Sequence, residues 1–407
     1  MNIVFVEPSF PANQRRFVLA LAGVGATVIG IGESEEWTLD AELRDAMGGY
    51  YRVNNVTDAR ELTDAVRHIQ SVIVVDRLEA TIESHTMAAA QVREACGIPG
   101  TSVHTTWLCR DKPSMKEALR AVGVPTAASI AADHTSQVWD FAAVVGYPLV
   151  LKPRAGAGAQ GTVRVTNDTE LTAAMAIFDA DGTTSIAVEE FVEGHEGFYD
   201  TITIDNEIAH DWTTHYYPTV LEAMRTRWIS PQFVTTNRVE DDPFYDEVRE
   251  LGHRVIDAFD IGTSATHMEW FFGPKGLRFS EIGCRPPGVG CWDLYSAAND
   301  VDVYREWAHV LIHGRAERAL SRAYSAGIVA MRPDHDGVIC GYGGIDDFRS
   351  RFGEWILDEH FPPVGHLTQA VEAGYMANAY VRLRHPDYDQ VRAMLDDAGR
   401  TIHVYAG

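Results

Sequence analysis

A lysine placed just ahead of three closely spaced glycines is a pattern suited to holding phosphate groups. An apolar run at 149–151 predicts a strand that delivers Lys152, and Gly156, Gly158 and Gly161 follow it. Backbone amides beside glycines are unshielded by side chains, so such a loop can cover a polyphosphate. No Gly-Lys-Ser or Gly-Lys-Thr sequence follows, which excludes a Walker A loop. The alternative is a tight hairpin with a surface lysine. Lysine is rare in this chain and occurs at only four positions: Lys112, Lys116, Lys152 and Lys275.

Two glutamates separated by 12 residues, Glu269 and Glu281, predict a divalent-cation site. The intervening Gly-Pro-Lys-Gly is a turn signal, so the flanking strands are expected to form a hairpin with both carboxylates on one face. Buried like charges this close require a cation, and carboxylate oxygens suit Mg²⁺ or Mn²⁺ that bridges phosphates. Arg285 adds a fork-shaped donor for phosphate or carboxylate, and His267 lies on the strand face of Glu269. The alternatives are an exposed hairpin and, for His267, a packed core histidine.

A third segment, 188–196, has the sequence Val-Glu-Glu-Phe-Val-Glu-Gly-His-Glu. This pattern predicts a strand that enters a turn at Gly194. A solvated sheet edge is one explanation of its acidic residues. In the other, the backbone N–H and C=O groups meet the edge of a purine base, and Glu196 binds the hydroxyls of a sugar. The segment alone leaves both explanations open.

The composition excludes several classes of protein. Of the 407 residues, 58 are acidic and 34 are basic, and the net charge of -24 repels phosphate backbones and anionic membranes. We therefore expect neither nucleic acid nor membrane as a partner. The first apolar run spans only five residues, too short for a signal-peptide core or a membrane span, so we expect a cytoplasmic protein. A homodimer is the default expectation for its assembly.

The first hundred residues alternate short apolar runs with helical patterns, which is typical of a doubly wound parallel sheet. Such sheets bind ligands at the carboxyl ends of their strands. The glycines of this region do not form a Gly-x-Gly-x-x-Gly motif, so turns explain them better than nicotinamide binding. The predicted strands are 3–6, 26–31 and 72–75, and the predicted helices are 13–21, 41–47, 59–69 and 82–95.

The pattern of predicted strands and helices changes after a loop-like stretch at about 97–109. A small α+β lobe is predicted from strands at 149–151, 162–165 and 185–188 with a helix at 170–176. A β-rich lobe follows over about 197–290, interrupted by one long helix at 246–259. The last ninety or so residues mix strands and helices.

Basic and aromatic residues interleave over 210–238, which suggests a pocket for an anionic or amino-acid substrate. A surface helix with ordinary arginines is the alternative. Trp292 and Tyr295 are expected either to line the same pocket or to pack in the core. The interleaved residues are His210, Trp212, His215, Tyr216, Tyr217, Arg225, Arg227, Trp228 and Arg238.

Taken together, these motifs resemble the ATP-grasp superfamily, and in particular its biotin carboxylase-like branch, which includes amino-acid ligases. The resemblance covers nearly the whole chain. It implies an α/β protein with an N-terminal doubly wound parallel sheet (1–106), a two-lobed α+β ATP-grasp fold (107–315, small lobe about 120–190) and a small C-terminal α+β domain (316–407). It rests on the order and spacing of Lys112, Lys152, the glycine-rich loop, Glu189 to Val192, Glu196, Glu269, Glu281 and Arg285.

The resemblance implies a role for each of these residues, with ATP and Mg²⁺ (or Mn²⁺) as cofactors. Lys112 and Lys152 would contact the ATP phosphates, and the loop from Gly156 through Gly158 to Gly161 would close over them. Glu190 and Val192 would offer backbone groups to adenine, with Glu189 beside them and Glu196 on the ribose. Glu269 and Glu281 would hold the metal. The family often has asparagine two residues after the second glutamate, whereas this chain has Gly283, which puts a second metal ion in doubt.

The expected activity is that of a carboxylate–amine ligase. A substrate carboxylate would attack the γ-phosphate, and an amine would then attack the acyl phosphate to form an amide. We expect Arg285 to hold the acyl phosphate or its oxyanion and His267 to orient the carboxylate. The expected partners are small-molecule carboxylates and amines. The alternatives are a carboxylase that works through carboxyphosphate, a non-catalytic ATP-binding regulator and, more remotely, a nicotinamide-dependent oxidoreductase.

Overall fold

The N-terminal sheet consists of four parallel strands in the order β3-β2-β1-β4. A computed structural model describes residues 1–155, 161–178 and 185–407 of the chain. Gly156 and Gly158 lie outside these ranges. The elements of this part are β1 (Asn2–Val6), α1 (Gln14–Gly23), β2 (Thr27–Gly32), α2 (Ala41–Ala46), β3 (Met47–Arg52), α3 (Ala59–Gln70), β4 (Arg77–Glu79) and α4 (Thr86–Cys96).

Alternate residues of β1 enter two different cores, as expected for a sheet covered on both faces. Phe5 packs in the core that contains Phe17 of α1, and Val4 packs in the core that contains Leu62 of α3. The expected doubly wound sheet is therefore confirmed.

The strand predicted at 72–75 is wrong. Val72 and Val74 are exposed in the turn after α3, and the strand is β4, whose charged ends Arg77 and Glu79 form an ion pair at 2.8 Å. The prediction followed hydrophobicity, which a three-residue strand with two charged side chains does not display. β3 was also missed, because its two glycines weaken a strand pattern.

The small lobe is a four-stranded antiparallel sheet in the order β5-β8-β6-β7, with helices packed on it. Its three predicted strands and its helix are confirmed. The elements from the linker onward are α5 (Val103–Leu108), α6 (Lys112–Ala121), β5 (Ser129–Ala132), α7 (Thr135–Val145), β6 (Leu149–Pro153), β7 (Val163–Val165), α8 (Asp168–Phe178) and β8 (Ile186–Glu190).

An eight-stranded antiparallel sheet dominates the rest of the chain, in the order β13-β12-β9-β10-β11-β14-β17-β16. Its last three strands come from the segment expected to form a C-terminal domain. The first elements are β9 (His195–Ile204), β10 (Glu207–Tyr217), α9 (Val220–Ala223), β11 (Gln232–Thr235), α10 (Pro243–Phe259), β12 (Ala265–Gly273), β13 (Gly276–Gly283), α11 (Cys291–Asn299) and α12 (Val303–His313). They are followed by β14 (Ser325–Met331), β15 (Ile339–Gly343), α13 (Ile345–Phe352), β16 (Ile356–His360), β17 (Ala379–His385), α14 (Tyr388–Thr401) and β18 (His403–Ala406).

The small lobe is tied to the large sheet next to the cleft that separates them. The Phe279 amide of β13 donates to the Pro125 carbonyl at 2.8 Å, just ahead of β5. Across the described ranges, no helix has the length and apolar character needed to cross a bilayer.

Candidate active site

A cavity of about 250 Å³ lies between the small lobe and the large sheet; we call it the central cavity. It collects residues from α6, β6, β8, β12, β13 and the connections around them. Eight of the residues singled out from the sequence line it: Lys112, Lys152, Glu189, Glu190, Val192, Glu196, Glu269 and Glu281.

Three lysines and two glutamates form a charge cluster in this cavity. Glu189 Oε2 lies 2.6 Å from Lys116 Nζ and 2.9 Å from Lys152 Nζ, and Lys112 Nζ lies 3.3 Å from Glu281 Oε2. Burial alone would raise the pKa of Glu189, but the two lysines together lower it to about 2. The carboxylate is therefore ionised and fixes both ammonium groups in place.

Lys116 is a functional candidate that the sequence reasoning missed. Its side chain is 1% exposed, and burial, the largest influence, lowers its pKa to about 8 although Glu189 opposes this. For Lys152, burial is outweighed by Glu189 and Glu281, so its pKa is raised. The signal for Lys116 was its position four residues after Lys112 on one helix, which places both on the same face.

Contacts at the start of α6 hold this helix, which carries Lys112, next to β6, which carries Lys152. Asp111 caps the helix by accepting from the Ser114 amide at 3.1 Å, and its two oxygens also bind the Arg154 guanidinium at 2.8 and 3.0 Å. The Lys112 amide donates to the Arg154 carbonyl at 3.0 Å. Because Arg154 follows Lys152 by two residues, these contacts set the spacing between the two lysines.

Gly161 ends the glycine-rich segment in a left-handed conformation, with a φ of +66°. A Cβ at this position would lie 3.1 Å from the Pro153 ring. Both facts favour glycine here.

Glu269 and Glu281 lie directly opposite each other in the β12–β13 hairpin, which confirms the predicted placement on one face. Within the described ranges, no group of three metal-ligating side chains forms around them. Mg²⁺ is usually held by one or two carboxylates and completes its octahedron with phosphate and water oxygens. Two facing glutamates beside a cluster of lysines therefore fit this ion.

The end of β8 and the segment that follows it also line the central cavity. The amides of Glu190 and Phe191 donate to the carbonyls of Ala128 and Pro148. The Val192 amide has no hydrogen-bond partner among the residues that the structure describes. It is a donor available to a ligand.

Glu196 is a buried carboxyl in the same wall. It accepts from the Val220 amide at 2.6 Å, and burial together with the nearby Glu269 carboxylate raises its pKa. The turn before it requires glycine, because a Cβ on Gly194 would lie 2.4 Å from the Phe272 carbonyl oxygen.

His267 and Arg285 line a smaller space of about 20 Å³ next to the central cavity, which we call the side hollow. Lys112 and Glu281 line both spaces. The lining residues are Glu83, Cys109, Arg110, Lys112, Met115, His267, Glu281, Ile282, Gly283 and Arg285.

A buried aspartate orients His267. Asp200 Oδ1 lies 2.7 Å from His267 Nδ1, and its other oxygen accepts from the Tyr295 hydroxyl. Burial lowers the pKa of His267, but Asp200 more than offsets it and raises that pKa to about 9. The imidazolium then directs Nε2 toward Glu269 Oε1, 3.7 Å away.

The interleaved basic and aromatic residues of 210–238 line neither the central cavity nor the side hollow, so the predicted substrate pocket is not found there. Trp212 and Tyr216 point into the core, Trp228 is 87% exposed, and His210 contacts Glu306 at 2.9 Å. Strand β10 alternates its side chains between two faces, which the linear pattern does not resolve. Residues 219–221, at the start of α9, line the central cavity instead. Trp292 and Tyr295 are core residues.

The ATP-grasp domain family model matches residues 117–300. This chain contains an ATP-grasp domain. A solved structure of an L-amino acid ligase from Bacillus licheniformis superposes with a TM-score of 0.77 at 17% identity, covering 100% of this chain and 98% of that one. An N5-carboxyaminoimidazole ribonucleotide synthetase from Thermotoga maritima superposes with a TM-score of 0.69 at 16% identity, covering 100% and 99%. The two structures share the fold that the resemblance to the ATP-grasp superfamily implied.

A sequence relative points to the same family. It is an L-arginine-specific L-amino acid ligase from Bacillus subtilis, 25% identical over 271 residues, which are 63% of this chain and 64% of the relative. The match thus spans less than two thirds of that ligase's length.

Proposed function

We propose that this chain is an ATP- and Mg²⁺-dependent ligase that joins an amino acid or small carboxylic acid to an amine or a second amino acid. The observation that carries the proposal is the pairing of a buried lysine cluster with two facing glutamates in one cavity. A nucleoside triphosphate and its divalent cation need these two features side by side. The similarity to L-amino acid ligases supports the same reaction class.

The nucleotide would lie along the central cavity. The Val192 amide and the Glu190 backbone would meet the adenine edge, with Glu189 beside them, and the buried Glu196 would bind ribose hydroxyls. Lys112 and Lys152 would meet the phosphates, with the loop from Gly156 to Gly161 above them. Lys116 holds the Glu189 carboxylate and thereby positions Lys152.

Phosphoryl transfer would then require positioning and charge neutralisation, not an enzyme nucleophile. The substrate carboxylate attacks the γ-phosphate, giving ADP and an acyl phosphate, and the amine attacks the acyl carbon to form the amide and release phosphate. Mg²⁺ held by Glu269 and Glu281 would neutralise the charge of the phosphates. Arg285 and His267 would hold the carboxylate oxygens, because both line the side hollow next to Glu281.

The test is ADP release with Mg²⁺ over pairs of amino acids and small carboxylates, with mass spectrometry of the products. Release that needs both substrates, with a product lighter than their sum by one water, supports the ligase. ADP release that needs bicarbonate instead would indicate carboxylation, and ATP binding without turnover on any pair would contradict the proposal.

A charge-neutral variant tests the metal site while it keeps the shape of the side chain. Glu281→Gln should bind nucleotide without turnover, because one metal-binding charge is lost while the shape is kept. Glu317→Gln is the matched control, since Glu317 pairs with Arg305 on the surface, and it should keep full activity. Near-normal turnover of Glu281→Gln would contradict the metal assignment.

A further inference from the structure

Two cysteines that lie 175 residues apart in the sequence meet beside the side hollow. Cys109 Sγ and Cys284 Sγ are 2.8 Å apart, and both residues are free thiols in the structure. A disulfide bond is about 2.05 Å long, so the two sulfurs need to approach by less than about 1 Å to form one. Cys109 lines the hollow itself, as do Gly283 and Arg285 on either side of Cys284. The proposed mechanism uses neither thiol.

The chain around the pair is held so that the two thiols face each other. Cys109 directly follows α5, and Cys284 directly follows β13. The next residue after each cysteine is an arginine, and both arginines contact Glu83. Arg110 donates to the Glu83 backbone carbonyl at 2.6 Å, and Arg285 Nε lies 2.8 Å from Glu83 Oε2. A bond between the thiols therefore needs no rearrangement of the fold.

The two thiols differ in exposure, which decides the order in which they react. Cys109 is 4% exposed, and burial, more than its contact with Cys284, raises its pKa. Cys284 is partly exposed. The thiolate is the form that reacts with oxidants, and the oxidant must reach it from solvent. Cys284 is therefore the thiol that a peroxide meets first, and Cys109 is its partner.

From this geometry we propose that Cys109 and Cys284 form a reversible disulfide that braces the wall of the side hollow. With hydrogen peroxide as the oxidant, the Cys284 thiolate attacks one peroxide oxygen, the O–O bond breaks, and a sulfenic acid and hydroxide form. The Cys109 sulfur then attacks the Cys284 sulfur, the S–O bond breaks, and the oxygen leaves as water with the Cys109 proton.

This sequence of steps is balanced. The hydroxide of the first step takes up the proton that the Cys284 thiol had released. The two thiols thus lose two protons and two electrons, and the peroxide becomes two molecules of water. A dithiol reductant reverses the bond by thiol–disulfide exchange.

The bond would join two chain segments that carry groups of the candidate active site. Lys112 follows Cys109 by three residues, Glu281 precedes Cys284 by three, and Lys112 Nζ already lies 3.3 Å from Glu281 Oε2. The side hollow, at about 20 Å³, holds a group of the size of one water molecule, so it must widen before a carboxylate can reach Arg285. A bond across its wall opposes this widening.

Formation of the bond is independent of the proposed ligase function, whereas its effect on the carboxylate substrate rests on that function. Oxidation should hinder the carboxylate, which we place in the side hollow, and spare ATP, which we place in the central cavity. The bond and its effect are therefore measured separately.

The chemical test treats the reduced full chain with one equivalent of hydrogen peroxide, blocks the remaining thiols and digests the protein for tandem mass spectrometry. Two peptides linked through Cys109 and Cys284, lighter by two hydrogens than the reduced pair and separated again by dithiothreitol, support the inference. Fragment spectra must place the link, because Cys96 and Cys291 lie in the same tryptic peptides. Absence of this link after treatment would overturn the inference.

Serine variants test the order of the two steps. In Cys109→Ser the partner thiol is missing, so a 1,3-diketone reagent should trap the sulfenic acid at Cys284. Cys284→Ser should give neither the link nor a sulfenic acid at the buried Cys109, and it keeps the test decisive if Cys109→Ser does not fold. Cys340→Ser is the control, because Cys340 is an exposed thiol outside the pair, and it should form the link as the unmodified chain does. Loss of the link in Cys340→Ser would contradict the assignment.

The kinetic test compares each protein with its own reduced form by ADP release. In the unmodified chain, oxidation should raise KM for the carboxylate substrate severalfold and leave KM for ATP unchanged, and dithiothreitol should restore the reduced values. Cys284→Ser should show no such change. An unchanged KM for the carboxylate in the fully linked protein would overturn the effect on the hollow.

The melting temperature gives a readout that needs no turnover. It should rise on oxidation, because the bond restricts an unfolded chain whose linked residues are 175 positions apart. Absence of ADP release with every substrate would refute the proposed function, and the link and the melting temperature would still decide whether the brace forms.

Discussion

At the residue scale, the site is organised by two carboxylates and three lysines. Glu189 contacts Lys116 and Lys152, while Lys112 contacts Glu281. An acidic protein with a net charge of -24 repels anions overall, so a nucleotide needs a local cluster of this kind. The lysines of this chain are concentrated here, with three of the four in the cavity wall.

Lys152→Ala tests the phosphate assignment. Removal of a charged donor should weaken ATP binding by about 10- to 100-fold, from the usual range of hydrogen bonds to charged groups. Isothermal titration calorimetry with a non-hydrolysable ATP analogue measures this directly. The control is Arg305→Ala, which removes an exposed cation paired with Glu317. Equal affinity of Lys152→Ala and the unmodified chain would refute the role of Lys152.

The buried carboxyl of Glu196 should make stability depend on pH. Its pKa is raised in the folded state by burial and by Glu269, from an ordinary value of 4.5. An acid whose folded pKa is raised contributes stability at low pH, which is lost as the pH rises because the unfolded chain ionises more readily. Glu196→Gln keeps an acceptor for the Val220 amide but cannot ionise. Its melting temperature relative to the unmodified chain should therefore increase between about pH 5 and about pH 8, and a difference that stays constant would argue against a raised pKa.

At the element scale, the start of α6 links helix capping to the placement of Lys112 and Lys152. Asp111 satisfies a helix N-terminal amide and holds Arg154, which follows the strand that carries Lys152. The same side chain thus stabilises the helix and sets the distance between the two lysines that we propose as phosphate ligands.

Asp111→Ala should cost about 1 kcal/mol from the lost cap, and more from the broken contact with Arg154. It should also raise KM for ATP, because Lys112 and Lys152 lose their common anchor. Asp302→Ala is matched to it, since Asp302 caps α12 by accepting from the Tyr304 and Arg305 amides. Both variants should melt earlier, but only Asp111→Ala should change KM for ATP. The same KM in both would limit Asp111 to a structural role.

Sequence patterns predicted elements well where hydrophobicity and turn chemistry agree. The β12–β13 hairpin followed from the Gly-Pro-Lys-Gly turn signal between its two strands, and its register placed Glu269 opposite Glu281 as expected. β3 and β4 were not predicted correctly, because glycines and charged residues hide short parallel strands. Contacts between distant segments could not be predicted either: Lys116 with Glu189, and Glu83 with Arg285, depend on how separate lobes pack.

At the scale of the whole molecule, three parts of the chain converge on the candidate active site. The small lobe and the large sheet enclose the central cavity, and the N-terminal sheet delivers Glu83 to the side hollow. Strands near the end of the chain extend the large sheet, so the expected division at 316 cuts through a continuous sheet in the structure. The domain boundaries at 106 and 315 stay predictions.

The central claim is that ATP activates a substrate carboxylate as an acyl phosphate. The most direct measurement uses a carboxylate substrate labelled with ¹⁸O in both oxygens and follows the label by mass spectrometry of the released phosphate. Attack of the carboxylate on the γ-phosphate, followed by attack of the amine on the acyl carbon, leaves one labelled oxygen on each phosphate. The account predicts one ¹⁸O per phosphate released. Unlabelled phosphate, formed together with an amide product, would contradict it.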